Sequence, residues 1–172
     1  IVINTCCFIH DAKEESVNTI LEMAEYKKTG KCKALIVTGC MAQRYKEEIT
    51  QEIPEVDAVL GTTSYADIVK ALNEAQAGHV FQEFRDINEL PEDSGRRVLT
   101  TGGHFGYLKI AEGCDKHCTY CIIPSLRGKF RSVPEERLLA QAEYMAEQGV
   151  KELIIVAQET TVYGTDLYGK KT

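Results

Sequence analysis

The first forty residues, IVINTCCFIHDAKEESVNTILEMAEYKKTGKCKALIVTGC (1–40), decide the fold. Ile1 to Ile3 form a short apolar, β-branched run of the kind that makes a buried strand. The stretch DAKEESVNTILEMAEYKKTG has helical spacing, with Asp11 as the expected cap and Glu14 completing a capping box. Val17, Ile20, Leu21 and Ala24 fall on one face of that helix, and Gly30 sits where a C-terminal cap belongs. KALIVTG then supplies a second buried strand. Strand, helix and strand in succession predict a parallel βαβ unit. Each of the two strands runs directly into a cysteine, Cys6 and Cys40.

Working outward, MAQRYKEEITQEI reads as a helix stopped by Pro54, and DAVLG with SYADIVKALNEAQAG repeats the pattern. The fold expected is α/β, with a doubly wound parallel-sheet domain over residues 1–80 that is incomplete at its start. Periodicity fails from Phe81 to Gly103, where EFRDINELPEDSGRRVLTTGGH is polar and rich in turn residues, so 81–103 reads as a linker. Strand character resumes at YLKIA, in a second domain over 104–172. SVPEERLLAQAEYMAEQG is a helix with Ser132 and Glu135 as a capping box and Leu138, Leu139, Ala142, Met145 and Ala146 as its stripe. ELIIVA is expected to be another buried strand. This second βαβ unit looks like the start of a barrel, with the loop GCDKHCTYC (113–121) at the carboxyl end of its first strand, where α/β barrels keep their chemistry.

The bulk composition excludes more than it assigns. The chain has 172 residues, of which 44% are hydrophobic and 27% charged, which suits an ordinary globular protein. A net charge of -6 provides no general basic footprint for nucleic acid. No apolar run approaches the ~18 residues of a membrane span and no secretory signal is present, so a cytoplasmic protein without membrane attachment is expected. The opening IVINTCC lacks a starting methionine and begins within a strand, so the chain reads as a fragment.

Seven cysteines, three of them in one loop, do not suit a disulfide framework in a chain without export signals. Metal or redox chemistry suits them better. Cys114, Cys118 and Cys121 have CxxxCxxC spacing, for which the candidates are zinc and an iron–sulfur cluster. Structural zinc wants four ligands, and the only nearby fourth, His117, adjoins Cys118, which makes joint tetrahedral ligation awkward. A cubane held by three thiolates keeps one iron open to an outside ligand, by the logic that keeps a position open on catalytic zinc. Cys6 and Cys40 each close a strand, so both would project beyond the carboxyl edge of the sheet, where open α/β sheets bind ligands. The alternative for that pair is burial as small apolar residues. Cys7 and Cys32 are read in that second way.

The run AEGCDKHCTYCIIPSLRGKFRS, with an aromatic before the third cysteine, resembles the radical S-adenosylmethionine methylthiotransferase family, and INTCCF and VTGCMAQRY resemble two motifs of that family's amino-terminal domain. The resemblance implies a 4Fe–4S cluster on Cys114, Cys118 and Cys121 that binds S-adenosylmethionine, and a second, auxiliary 4Fe–4S cluster on Cys6 and Cys40. The family's third auxiliary cysteine would precede Ile1, so the auxiliary cluster lacks a ligand here and the chain alone is expected to be inactive. In such enzymes a deoxyadenosyl radical removes hydrogen from an unactivated carbon, sulfur is inserted there and a second S-adenosylmethionine supplies the methyl group. No residue is assigned a catalytic role of its own. Tyr120 is expected near the adenine, and Gln158, just after ELIIVA, near cofactor or substrate. Arg127, Lys129 and Arg131 read by default as a solvated positive face. His10, His79 and His104 receive no role.

Two branches of that family compete. One modifies an adenosine in transfer RNA; the other modifies the β-carbon of an aspartate in a small-subunit ribosomal protein. The run AQETTVYGTDLYGKK resembles the ribosomal-protein branch, whereas the transfer-RNA branch reads closer to GQNVNSYG. The expected partners are therefore a small-subunit ribosomal protein and a reducing electron donor. A transfer RNA enters only under the alternative, and a non-catalytic zinc or iron–sulfur module is the reading from a different class.

Overall fold

The structure, a computed structural model, describes residues 1–91 and 97–170. The chain divides into two compact units, the first running to the linker and taking in the short segment Tyr120–Ile122, the second comprising the remainder.

The first unit is the parallel α/β layer that the alternation predicts. In chain order it comprises β1 (Val2–Thr5), α1 (His10–Thr29), β2 (Ile36–Gly39), α2 (Cys40–Tyr45), α3 (Glu47–Glu52), β3 (Ala58–Leu60), α4 (Ile68–Gln76) and β4 (Phe81–Glu83). The four strands lie side by side in chain order, every pair parallel, with Thr5 opposite Gly39 and Val59 opposite Gln82. Ile36, Ala58, Leu60 and Ala71 form a buried cluster that Ile68 and Phe81 close. Phe81–Glu83 falls in the stretch expected to be a linker. Three residues with one inward aromatic carry too little periodicity to announce a strand, and the β3 edge supplies the order.

Two helix details differ from expectation. Ile9, in extended conformation, is the N-cap of α1 and makes no side-chain cap, so the Asp11–Glu14 box does not form. With the cap two residues earlier, Asp11 sits inside the first turn, where its charge still favours the positive end of the helix dipole. The buried face is Ser16, Ile20 and Ala24, while Leu21 is exposed. The cause is Ser16, whose Oγ accepts from Cys6 N (3.0 Å) and donates to Cys6 O (3.0 Å), which turns this face towards the end of β1. The helix expected over 41–53 is two helices, broken at Lys46 with φ 43°.

The second unit comprises β5 (Phe105–Lys109), β6 (Ala111–Glu112), α5 (Ile123–Arg127), β7 (Arg131–Ser132), α6 (Glu135–Glu147), β8 (Glu152–Val156) and α7 (Thr165–Tyr168). β5 and β8 pair in parallel from Phe105–Glu152 to Lys109–Val156, with α6 as the crossover, while β6 and β7 form a short antiparallel ladder. Leu108, Leu138, Met145 and Val150 are its core. Leu139 and Ala146, expected in the stripe, face outward. β8 is not a buried strand: Leu153 and Ile155 are 37% and 48% exposed. Composition alone does not separate a strand covered on both faces from one paired along a single edge.

The capping box on α6 gives way to a tighter arrangement. Pro134 is the N-cap, because Ser132 belongs to β7 and is fully buried. Ser132 N and Oγ donate to Asp166 Oδ2 (2.8 Å) and Oδ1 (2.6 Å), and Gly164 N donates to Ser132 Oγ (2.9 Å). Burial pushes the Asp166 carboxyl up, but these bonds from Ser132, with those from its own and the Leu167 backbone, hold it below its ordinary value. A depressed carboxylate stabilises the fold above the unfolded-state pKa and loses that contribution as pH falls through the folded-state value. Acid titration followed by circular dichroism should therefore show the second unit weakening below the ordinary aspartate range, with Asp166→Asn less stable at neutral pH and flatter in acid.

Among the described residues no helix is long and apolar enough to cross a membrane.

Candidate metal centre

Both groups of cysteines follow strand ends: Cys6 and Cys40 those of the parallel β1 and β2, and the loop 113–121 that of β6, which pairs antiparallel with β7. Thr5 and Gly39 are register partners at the ends of β1 and β2, so Cys6 and Cys40 are the residues that follow a matched pair. Cys40 is 3% exposed and opens α2, whereas Cys6 is half-buried. Gly39 makes the abrupt strand-to-helix turn: its φ is +96°, and a Cβ there would meet Thr5 O at 2.5 Å and Thr5 N at 2.8 Å.

Cys7, read from the sequence as a bland core residue, shares this neighbourhood. It is 2% exposed. Burial pushes its thiol up, the nearby Cys40 adds to the rise with a smaller part from Cys6, and a hydrogen bond to Arg44 works against them. Three thiols and one guanidinium thus lie within electrostatic reach of one another where β1 and β2 end. The signal was the doublet itself, since past a strand end the in–out alternation lapses and neighbouring side chains need not diverge.

The loop 113–121 leaves β6 and contains no helix or strand of its own. Its beginning is held firmly. Gly113 has φ +74°, and a Cβ there would run into the carbonyl oxygens of Lys129 and Gly128. Cys114 N donates to Gly128 O (3.2 Å), and Phe130 N donates to Asp115 Oδ1 (2.9 Å). Cys114 is consequently buried, while Cys118 is exposed and Cys121 half-buried. Tyr120 is 91% exposed.

All seven cysteines are thiols rather than disulfide halves. Among the described residues no three His, Cys, Asp or Glu side chains gather closely enough to hold a metal ion, so neither set of thiols meets at one point in this conformation. Neighbouring thiolates repel one another, and the metal itself drives their convergence. The remaining polar atoms suit a cofactor site. Glu112 is 5% exposed and uses Oε1 for Lys109 Nζ and Arg127 Nη1, while Oε2 is buried with no partner among the described residues. Gln158, two residues past the end of β8, has a buried Oε1 in the same condition.

The basic run also differs from a solvated face. Arg127 is half-buried against Glu112, and Arg131 donates to the carbonyls of Lys129 and Arg127 (3.0 Å to the latter), so these cations brace the turn that backs the loop. Lys116, inside the loop, pairs with Glu159. His10 and His79 pair with Glu14 and Glu74 on the surface.

Residues 1–61 match the model of the uncharacterized protein family UPF0004, and residues 108–170 match that of the radical SAM superfamily. Along 99% of its length the chain is 67% identical to the ribosomal protein uS12 methylthiotransferase RimO of Lachnoclostridium phytofermentans, covering 39% of that protein. It is 53% identical to the protein of the same name from Clostridioides difficile and 50% identical to that of Desulforamulus reducens, covering 38% of each. The chain thus spans well under half the length of these curated relatives. With both family models in tandem and such relatives along nearly all of it, the chain is similar throughout its length to the radical S-adenosylmethionine methylthiotransferases.

Proposed function

We propose that this chain is part of a methylthiotransferase that acts on an aspartate β-carbon of the small-subunit ribosomal protein uS12. The observation that carries the reading is the three-thiol loop, which follows the parallel β5–β8 pair in a chain 67% identical to a relative named for that activity. Radical S-adenosylmethionine chemistry supplies, when its cluster and cofactor are bound, a carbon-centred radical strong enough to take hydrogen from an unactivated carbon.

The chain's own residues supply binding and orientation. Cys114, Cys118 and Cys121 would hold a 4Fe–4S cluster with one iron open, and Cys6 and Cys40 two corners of an auxiliary cluster. The buried, unpartnered Oε1 of Gln158 is an acceptor suited to a hydrogen-bond donor of S-adenosylmethionine. Tyr120, exposed beside Cys121, offers a ring to the adenine. A reducing electron donor and the ribosomal protein are the partners this chemistry requires, in the cytoplasm.

Deleting the gene for the full-length protein and analysing uS12 peptides by mass spectrometry tests the substrate. Loss of the methylthio mass from the aspartyl peptide is expected; an unchanged peptide with loss of methylthioadenosine from transfer RNA would move the assignment to the other branch.

A further inference from the structure

We propose that Lys116 and Glu159 form a latch that positions the middle of the cysteine loop and balances the charge beside the cluster. This rests on reading Cys114, Cys118 and Cys121 as its ligands.

The first residues of the loop are fixed by backbone bonds to Gly128 and Phe130, but every residue from Asp115 to Tyr120 is exposed. Within that exposed stretch Lys116 reaches out of the loop and donates to Glu159 Oε2 in the turn after β8, a link across 43 positions of sequence. Lys116 occupies the spacer between Cys114 and Cys118, so whatever holds it limits how those two thiols move relative to each other.

Glu159 is also held by a partner other than Lys116. Thr161 N (3.1 Å) and Thr161 Oγ1 both donate to Oε1, which leaves Oε2 for the ammonium. The hydrogen bond from Lys116, followed by those from Thr161, holds the carboxyl at about 2. The pair is therefore charged at any pH at which the protein works. Lys116 stands two positions from Cys114 and two from Cys118, so its charge is carried by the spacer between two of the thiols. An exposed ion pair adds little to global stability. Its leverage is local: it removes freedom from a ligand-bearing loop, and nearby charge is one of the determinants of cluster potential.

Glu159→Gln and Lys116→Met, separately and together in the full-length, anaerobically reconstituted enzyme, test the latch. Each single variant should lose iron to a chelator about 2- to 5-fold faster than the wild type, as expected for one exposed pair, and the double variant no faster than either. The midpoint potential should separate them by sign. Glu159→Gln leaves an unbalanced cation and shifts it upward, Lys116→Met leaves an unbalanced anion and shifts it downward, and the double variant returns near the wild type. Shifts of one sign, no shifts, or additive rates of iron loss would overturn the latch while leaving the ligands in place. Wild-type protein that takes up no iron sinks the ligand assignment, and the latch with it.

Discussion

Replacing any one of Cys114, Cys118 and Cys121 with alanine is expected to abolish stable cluster binding, and with it the spectral change that S-adenosylmethionine causes in anaerobically reconstituted protein. Partners that only orient a metal ligand are worth about 10- to 100-fold in affinity, so loss of a direct thiolate should exceed about 100-fold. The loop has no spare ligand to compensate. His117 adjoins Cys118, Asp115 is engaged by Phe130 N, and Glu112 is tied to Lys109 and Arg127. Cys32→Ala is the matching control, because the Cys32 thiol donates to Ala34 O (3.3 Å) in the turn before β2. Iron and sulfide per chain, read beside the ultraviolet–visible spectrum, decide the matter. A single alanine variant of the trio with full iron content would remove that residue from the ligand set, and stoichiometric zinc in colourless protein would replace the cluster with a structural site.

Why the cysteines were legible and their surroundings were not follows from the range of the interactions involved. The βαβ pattern rests on local periodicity, and it located β1, β2, β3, α4, β5, α6 and β8 together with the cysteines that end or follow them. The helix starts at Ile9 and Pro134 differ from the local patterns at Asp11 and Ser132 for one reason. A capping box is a local pattern, and in each case a partner distant in sequence decided the outcome. Ser16 turns α1 towards Cys6, and Asp166 claims Ser132 from 34 positions away. The same holds for the supports of the candidate site. Glu112, Arg127, Lys116 and Glu159 are unremarkable charges in sequence, and their meaning lies in pairings that no spacing rule specifies. By pattern Arg127 reads as part of a solvated run because charge runs usually are solvated; here a buried carboxylate draws it in. The exposure of β8 belongs to the same class, since hydrophobic composition reports what a strand can bury and not how much of it is covered.

Gly113→Ala tests how far the cysteine loop depends on backbone that no side chain reveals. At φ +74° an alanine pays about 1–2 kcal/mol for the left-handed conformation alone. Its Cβ would also strike the carbonyl oxygens of Gly128 and Lys129, and those are main-chain atoms that cannot rotate aside. Relief requires the turn 128–129 to withdraw. That breaks the bond from Cys114 N to Gly128 O and pulls on the β6–β7 ladder, where Glu112 faces Arg131. The sum places the variant at about 3–5 kcal/mol, in the range reserved for strained or core positions. Denaturant unfolding followed by circular dichroism should show the second unit melting early while the transition of the first keeps its midpoint, because Gly113 and everything it touches belong to the second. The expected functional consequence is equally local. Cys114 would lose its fixed start, and cluster uptake should fail even where the variant remains folded at low temperature. A variant that unfolds like the wild type and takes up a full complement of iron would mean that the turn adapts at little cost, and that Gly113 does not set the position of Cys114.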